Sequence, residues 1–380
     1  MSTVYDVIVV GVGGMGSATC YELAKRGQRV LGLERYDIGH SMGSSHGETR
    51  MLRLAYFEGQ TYVPMVLRAH QLWRDMGAKL GEELLTVTGT LDINAPALDI
   101  VDKAEAACKT YDLPYTLMDA KAIMERYPAF KLPSDYRGLF QPDGGFVRSE
   151  KAILGYTALA IDAGADIHPR EQVVSFEPTA TGGVRVTTNA RTYEAGRLIL
   201  SPGAWIRHFI PSLEPVTTIY RQIFGWFRPL RPDLFARGNF PCFTLKGDVG
   251  NYYGFPIDGH PGFKLGGPQH GREVCDPERL VRESRPSDEK GLRDCLAAYL
   301  PDAMGPAMGV KVCLFTSTPD DDFIIDHMPG APQIVVASPC SGHGFKFASV
   351  MGEILSDLAM DRASPFDLSP FRMSRFAGLA

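Results

Sequence analysis

Three glycines and one glutamate near the N-terminus have the types and spacing of a phosphate-binding turn. Gly11, Gly13 and Gly16 form the pattern G-x-G-x-x-G, and Glu34 follows 18 residues after Gly16. In such a turn the first glycine allows a tight reversal and the second lets backbone approach a pyrophosphate. The third lets a helix pack closely on a strand. The helix that opens there aims free N–H groups and a partial positive charge at the phosphates. Glu34 can accept hydrogen bonds from adenosine ribose hydroxyls, and its charge repels a 2′-phosphate, which disfavours NADP. The motif alone is weak, because many matches are plain turns. These residues imply a dinucleotide and do not separate FAD from NAD.

The elements around the motif strengthen it. Residues 6–10 are apolar and β-branched, as in a strand buried on both faces. A helix is expected over 17–26, stopped by Gly27, and a second parallel strand over 29–33, completing a βαβ unit. Apolar spacing predicts helices over 64–80, with Val66, Ala69, Trp73, Met76 and Leu80 facing a core, and over 149–163, with Ser149 as its cap. Strands are expected over 86–94, in a hairpin of 184–188 with 192–194, and over 197–201. Residues 216–318 read as short strands around a helical stretch at 289–299. A buried strand at 333–337 then feeds a glycine turn and a helix over 347–360. The architecture that follows is mixed α/β. A Rossmann-like nucleotide domain (residues 1–85, 145–215 and 320–380) carries an inserted, mostly antiparallel β substrate domain (86–144 and 216–319).

Composition narrows the class. With 44% hydrophobic and 22% charged residues the chain resembles an ordinary globular protein, and 380 residues suffice for two domains. A net charge of −5, with Lys and Arg scattered, gives no footprint for nucleic acid. The longest uncharged run, 328–345, is broken by prolines and glycines, so no membrane span is expected, and a cytoplasmic location is the default. Seven cysteines without a C-x-x-C pair argue against a disulfide framework or a zinc site. Most read as small buried hydrophobes.

Residues 40–64, containing His46, Arg50, Arg53 and Glu58, resemble the monomeric sarcosine oxidase and N-methyltryptophan oxidase family of flavoenzymes. The resemblance recurs at 252–256, 263–266, Cys313, 322–326 and 341–349, and through 366–376 it is nearest the N-methyltryptophan branch. It implies FAD, attached covalently through Cys313, on the logic that a basic neighbourhood favours the thiolate. It also implies a monomer that takes an amino acid, as a small-molecule substrate, and O2. Arg53 and Lys346 would grip the substrate carboxylate, Arg53 as a bidentate fork, so that the carbon beside nitrogen sits over the flavin. Lys264 would stabilise the charge that develops as electrons pass to oxygen; otherwise it is a strand-edge lysine. His46 and Arg50 would flank the flavin, His46 suiting a pocket because its charge can change near neutral pH. Tyr253 would line the substrate pocket, and Glu58 would compensate the cations. Cofactor contacts are further expected at Arg35, Ser44, Val173, Gly203, Trp205, Gly342 and Gly344.

Two positions depart from the family. Pro268 stands where a histidine is common, with His270 two residues on, and Phe315 replaces a tyrosine of sarcosine oxidase. Both changes make the pocket more apolar, which favours an N-methyl or other secondary amino acid with a larger side chain than sarcosine. The alternatives are a dehydrogenase of the same fold that hands electrons to a carrier, an NAD-dependent dehydrogenase, and a non-catalytic binder.

Overall fold

A computed structural model describes residues 4–259, 262–267 and 273–376; Pro268 and His270 lie outside the described residues. The first strand, Val4–Val10, sits between Val30–Leu33 and Thr192–Leu200, parallel to both. Thr192–Leu200 in turn runs parallel to Ala331–Ser338. Alternation along the first strand sorts its side chains to two cores. Val7 and Val9 pack under the helices Gly14–Lys25 and Ala348–Ala359, while Ile8 and Val10 join Leu31, Val184, Leu198 and Val336 on the other face. This is a mixed α/β fold with an eight-stranded nucleotide-type sheet.

A second, nine-stranded sheet faces the first region. Its strands pair antiparallel except Thr90–Asn94, which runs parallel to Cys242–Gly247. One face is covered by an aromatic core that includes Phe130, Phe240, Phe243 and Phe263, with Leu292 and Leu296 from the helix Pro286–Tyr299. A small three-stranded sheet of Thr49–Leu52, Leu85–Val87 and Gly145–Arg148 completes the fold. Among the described residues no helix is long and apolar enough to cross a membrane.

Several expectations need correction. The strands expected over 86–94 are two that belong to different sheets, divided where Gly89 turns through φ +72°. The segments 192–194 and 197–201 are one strand, which starts as a hairpin arm against Val184–Thr188 and ends inside the parallel sheet. Ser149 does not cap its helix: it is the first helical residue, and its hydroxyl donates to Glu150 Oε2 at 2.7 Å. Helices Ile100–Thr110 and Ala120–Arg126 were not anticipated, although Asp119 caps the second by accepting from the Ala122 amide at 2.7 Å.

Candidate active site

The C-terminal ends of the parallel strands and the exposed face of the nine-stranded sheet enclose a cavity of about 540 Å3. At one end lies the glycine turn. Gly11 has φ +88°, and a Cβ on Gly16 would stand 1.8 Å from the Gly11 carbonyl oxygen, so helix and turn meet only because the residue is glycine. Glu34 is buried, and its carboxylate accepts from the amides of Val12 at 3.0 Å and Tyr36 at 2.9 Å. Arg35 forms a two-armed ion pair with Glu278, which also accepts from Trp205 Nε1 at 2.9 Å. Arg35, Val173, Gly203 and Trp205 all line this end, as Gly11 and Gly13 do.

The position of a Cβ on Gly13 has no atom within 4 Å, and no side chain caps the helix that starts beside it. The buried Ser44 hydroxyl has no hydrogen-bond partner among the described residues and lines the same cavity. An open glycine turn, free helix amides, a carboxylate at the end of the second strand and an orphaned hydroxyl together fit a dinucleotide such as FAD.

The other end collects residues from four distant segments. Cys313 and Phe315 project from one face of Ala307–Ser317. Phe315 lies against Gly342, whose φ of +79° and absent side chain leave room for the ring, and Gly344 lies two residues on in the same wall. Arg50 Nη2 is 3.9 Å from Cys313 Sγ. Burial pushes the Cys313 thiol up, and Arg50 and Lys264 pull it down without reversing that. The basic neighbourhood expected from the sequence is present, but burial outweighs it and the resting group is the thiol.

Arg53 and Lys346 stand together in the cavity wall, both buried. Arg53 pairs with Glu58 and lies 3.8 Å from Asp92. Burial alone would raise the Glu58 carboxyl, but Arg53, His343 and Lys346 hold it down to about 2. Lys346 Nζ donates to the His343 carbonyl at 2.7 Å and to the Tyr56 hydroxyl at 3.4 Å. Burial, reinforced by Arg53, lowers Lys346 to about 7. Tyr253 lines the same wall from Gly250–Phe255.

Lys264 and His46 are not brought into the cavity lining. Lys264 is neither solvated nor on a strand edge: Phe263–Gly266 lies between two strands, and Lys264 is 3% exposed. Its ammonium donates to the carbonyls of Gly47 at 2.6 Å and Thr49 at 2.9 Å and to the Thr49 hydroxyl at 3.0 Å. It therefore braces the 47–49 backbone from behind. His46 packs on Phe224, and burial followed by Arg50 pushes it down to about 4, so it does not change charge near neutral pH as expected.

Sequence reading missed Asp92, Tyr56, His343 and Lys246. Asp92 is 1% exposed, receives the Thr244 hydroxyl and keeps Oδ2 unpartnered; burial raises its carboxyl. Tyr56 and His343 form a 2.5 Å hydrogen bond beneath Lys346. Only the alternation of Asp92 with buried apolar neighbours, Leu91 and Ile93, could have marked it, as a carboxylate in a strand with no exposed face.

Fold and cavity define a dinucleotide-binding protein of the Rossmann-like class, and the chain belongs to the DAO family of FAD dependent oxidoreductases, whose model matches residues 6–358. It is 37% identical to the monomeric sarcosine oxidase of Streptomyces avermitilis over 387 residues, covering 99% of each chain. It is 35% identical to the N-methyl-L-tryptophan oxidase of Yersinia pestis over 376 residues, covering 98% of this chain and 99% of that one. The open form of NikD, described as an unusual amino acid oxidase essential for nikkomycin biosynthesis, superposes with a TM-score of 0.85. Its identity is 26%, and 98% of both chains is covered. L-proline dehydrogenase from P. horikoshii shares the fold, with a TM-score of 0.82 at 18% identity, covering 99% of this chain and 98% of that one.

Proposed function

We propose that this FAD-dependent oxidoreductase is an oxidase of secondary amino acids, sarcosine or a bulkier N-methyl amino acid. It would oxidise the C–N bond to an imine that hydrolyses, with O2 reduced to H2O2. The observation that carries this reading is that Arg53 and Lys346, both buried, line the same cavity as Cys313 and Phe315. The names of the two relatives, a sarcosine oxidase and an N-methyl-L-tryptophan oxidase, support the substrate class.

FAD bound here would supply the acceptor for a hydride equivalent from the carbon beside nitrogen, and Cys313 is the residue we propose to hold it covalently. Arg53 and Lys346 would grip the substrate carboxylate with charge-assisted hydrogen bonds, orienting that carbon. Their positive charge, with that of Lys246 on the same cavity, disfavours a protonated amine and so favours the neutral form that reacts. We assign Tyr253 and Phe315 to the substrate pocket and Arg50 to the flavin. The dinucleotide half goes to Gly11, Gly13, Gly16, Glu34, Arg35, Ser44, Val173, Gly203 and Trp205. Gly342, Gly344 and Lys346 would hold the reactive end.

The division into a nucleotide domain (1–85, 145–215, 320–380) and a substrate domain (86–144, 216–319) belongs to the same proposal. Its support is that the strands of the eight-stranded sheet fall in the first set of segments and those of the nine-stranded sheet in the second. A monomer is proposed from the name of the first relative, and a cytoplasmic location from seven cysteines that are all unpaired.

A specific observation favours a second reading. Lys264, the proposed oxygen-activating cation, already has three protein acceptors. A dehydrogenase that passes electrons to a carrier would not need it free. Stoichiometric peroxide from N-methyl amino acids in air supports the oxidase; dye reduction without oxygen and no peroxide in air supports the dehydrogenase.

A further inference from the structure

One face of the nine-stranded sheet carries polar residues into the substrate end of the cavity in two adjacent rows. In the first row Thr244 lies between Asp92 and Tyr253, and in the next Lys246 lies between Asn94 and Asn251. Thr244, Tyr253, Lys246 and Asn251 all line the cavity, with Phe57 beside them. Asp92 accepts from the Thr244 hydroxyl, so the first row supplies a partner for its own donor, although Asp92 Oδ2 stays unpartnered. The second does not: among the described residues no carboxylate or carbonyl holds the Lys246 ammonium, which stands 4.8 Å from the centre of the Phe57 ring. Arg53 stands 3.9 Å from the same ring centre.

The charges around this corner are unequal. Arg53, Lys346 and Lys246 face two carboxylates, Asp92 and Glu58, and Glu58 is engaged by Arg53. One substrate carboxylate taken by Arg53 and Lys346 leaves Lys246 half-buried with no anion in direct contact, Glu58 and Asp92 acting on it only from a distance. A half-buried cation without a partner is costly, and an anionic group brought by a ligand relieves it. The two distances to Phe57 put Arg53 and Lys246 within about 9 Å of each other. A side chain of one or two methylenes ending in a carboxylate spans that with hydrogen bonds of about 2.8 Å at each end.

Building on the secondary amino acid reading, we infer that Lys246, with Asn251 beside it, receives an anionic side-chain end, so that the favoured substrates are N-alkyl amino dicarboxylates. Lys246 is then a specificity-determining residue, and Phe57 and Phe315 line the methylenes between the two carboxylates.

The test compares N-methyl-aspartate with its apolar isostere N-methyl-leucine on the flavin-loaded wild type, Lys246→Met and Lys246→Arg. The expected wild-type preference for the acidic substrate is at least tenfold in kcat/KM. Lys246→Met lowers that ratio tenfold or more, and Lys246→Arg restores most of it. A wild type that prefers N-methyl-leucine, or a ratio that Lys246→Met leaves unchanged, overturns the inference. A binding arm is independent of turnover. Succinate should perturb the flavin spectrum at least tenfold more tightly than 4-methylpentanoate in the wild type, and equally in Lys246→Met. If N-methyl-leucine is oxidised and succinate shows no advantage, only this inference falls. If succinate shows the advantage but no secondary amino acid reduces the flavin, the proposed function falls and the anion site stands.

Discussion

Arg50 places a guanidinium nitrogen 3.9 Å from the sulfur of Cys313. The same guanidinium donates to the carbonyls of Ser44 at 2.8 Å and Thr49 at 2.9 Å, and to that of His46. One side chain thus ties the 44–49 backbone together and sets it against the strand that carries the thiol. Burial raises the thiol and Arg50 opposes that. The proposed attachment of flavin at Cys313 would need the thiolate, so it should accelerate as pH rises.

Acid-precipitated wild type keeps its yellow colour, and Cys313→Ala releases flavin to the supernatant. Arg50→Met removes the largest charge that favours the thiolate, so its reconstitution with FAD leaves more flavin extractable, and raising the pH restores attachment. Extractable flavin from the wild type contradicts the assignment.

Arg53→Met removes the partner of Glu58 and the cation nearest Asp92. Stranding buried carboxylates costs about 3–5 kcal/mol, to be read as a lower Tm. Arg53→Lys keeps the charge but loses the fork, and losing such hydrogen bonds raises KM by roughly ten- to hundredfold. An unchanged KM removes Arg53 from the carboxylate site.

Lys346 sets a pH dependence. It is lowered to about 7, so it is charged below that pH and neutral above it. Affinity for a carboxylate such as acetate, followed through the flavin spectrum, should be full below pH 7 and weaken as pH rises through that value. Lys346→Met should flatten that limb. Affinity that rises with pH would contradict the assignment.

Lys264→Met tests the oxygen step. Loss of a preorganised cation costs about 100- to 1,000-fold in steps where it stabilises developing charge, so reoxidation of reduced enzyme should slow by that order. Because Lys264 also braces Gly47 and Thr49, its loss should lower Tm as well. A lower Tm with normal reoxidation assigns Lys264 to structure alone.

The N-terminal βαβ unit was legible because each of its residues answers to a local rule: a β-branched run, glycines at fixed offsets, and a carboxylate at the strand end. The site around Cys313 was legible only through the resemblance, since Arg53, Cys313 and Lys346 come from segments that no local pattern joins. Asp92 and Lys246 were not legible, because their meaning depends on a parallel pairing between Thr90–Asn94 and Cys242–Gly247 across more than a hundred residues. His46 shows a different limit. Its type suggested a neutral-pH switch, but desolvation, which sequence does not display, removes the charged form.

In the proposed reaction a secondary amino acid held by Arg53 and Lys346 delivers two electrons to FAD in this cavity. Anaerobic mixing of the purified holoenzyme with N-methyl-aspartate, N-methyl-leucine and sarcosine tests it most directly. One equivalent of at least one of these substrates should bleach the flavin absorbance. Colour and one equivalent of peroxide should return when air is admitted. A flavin that stays oxidised with all three would contradict it.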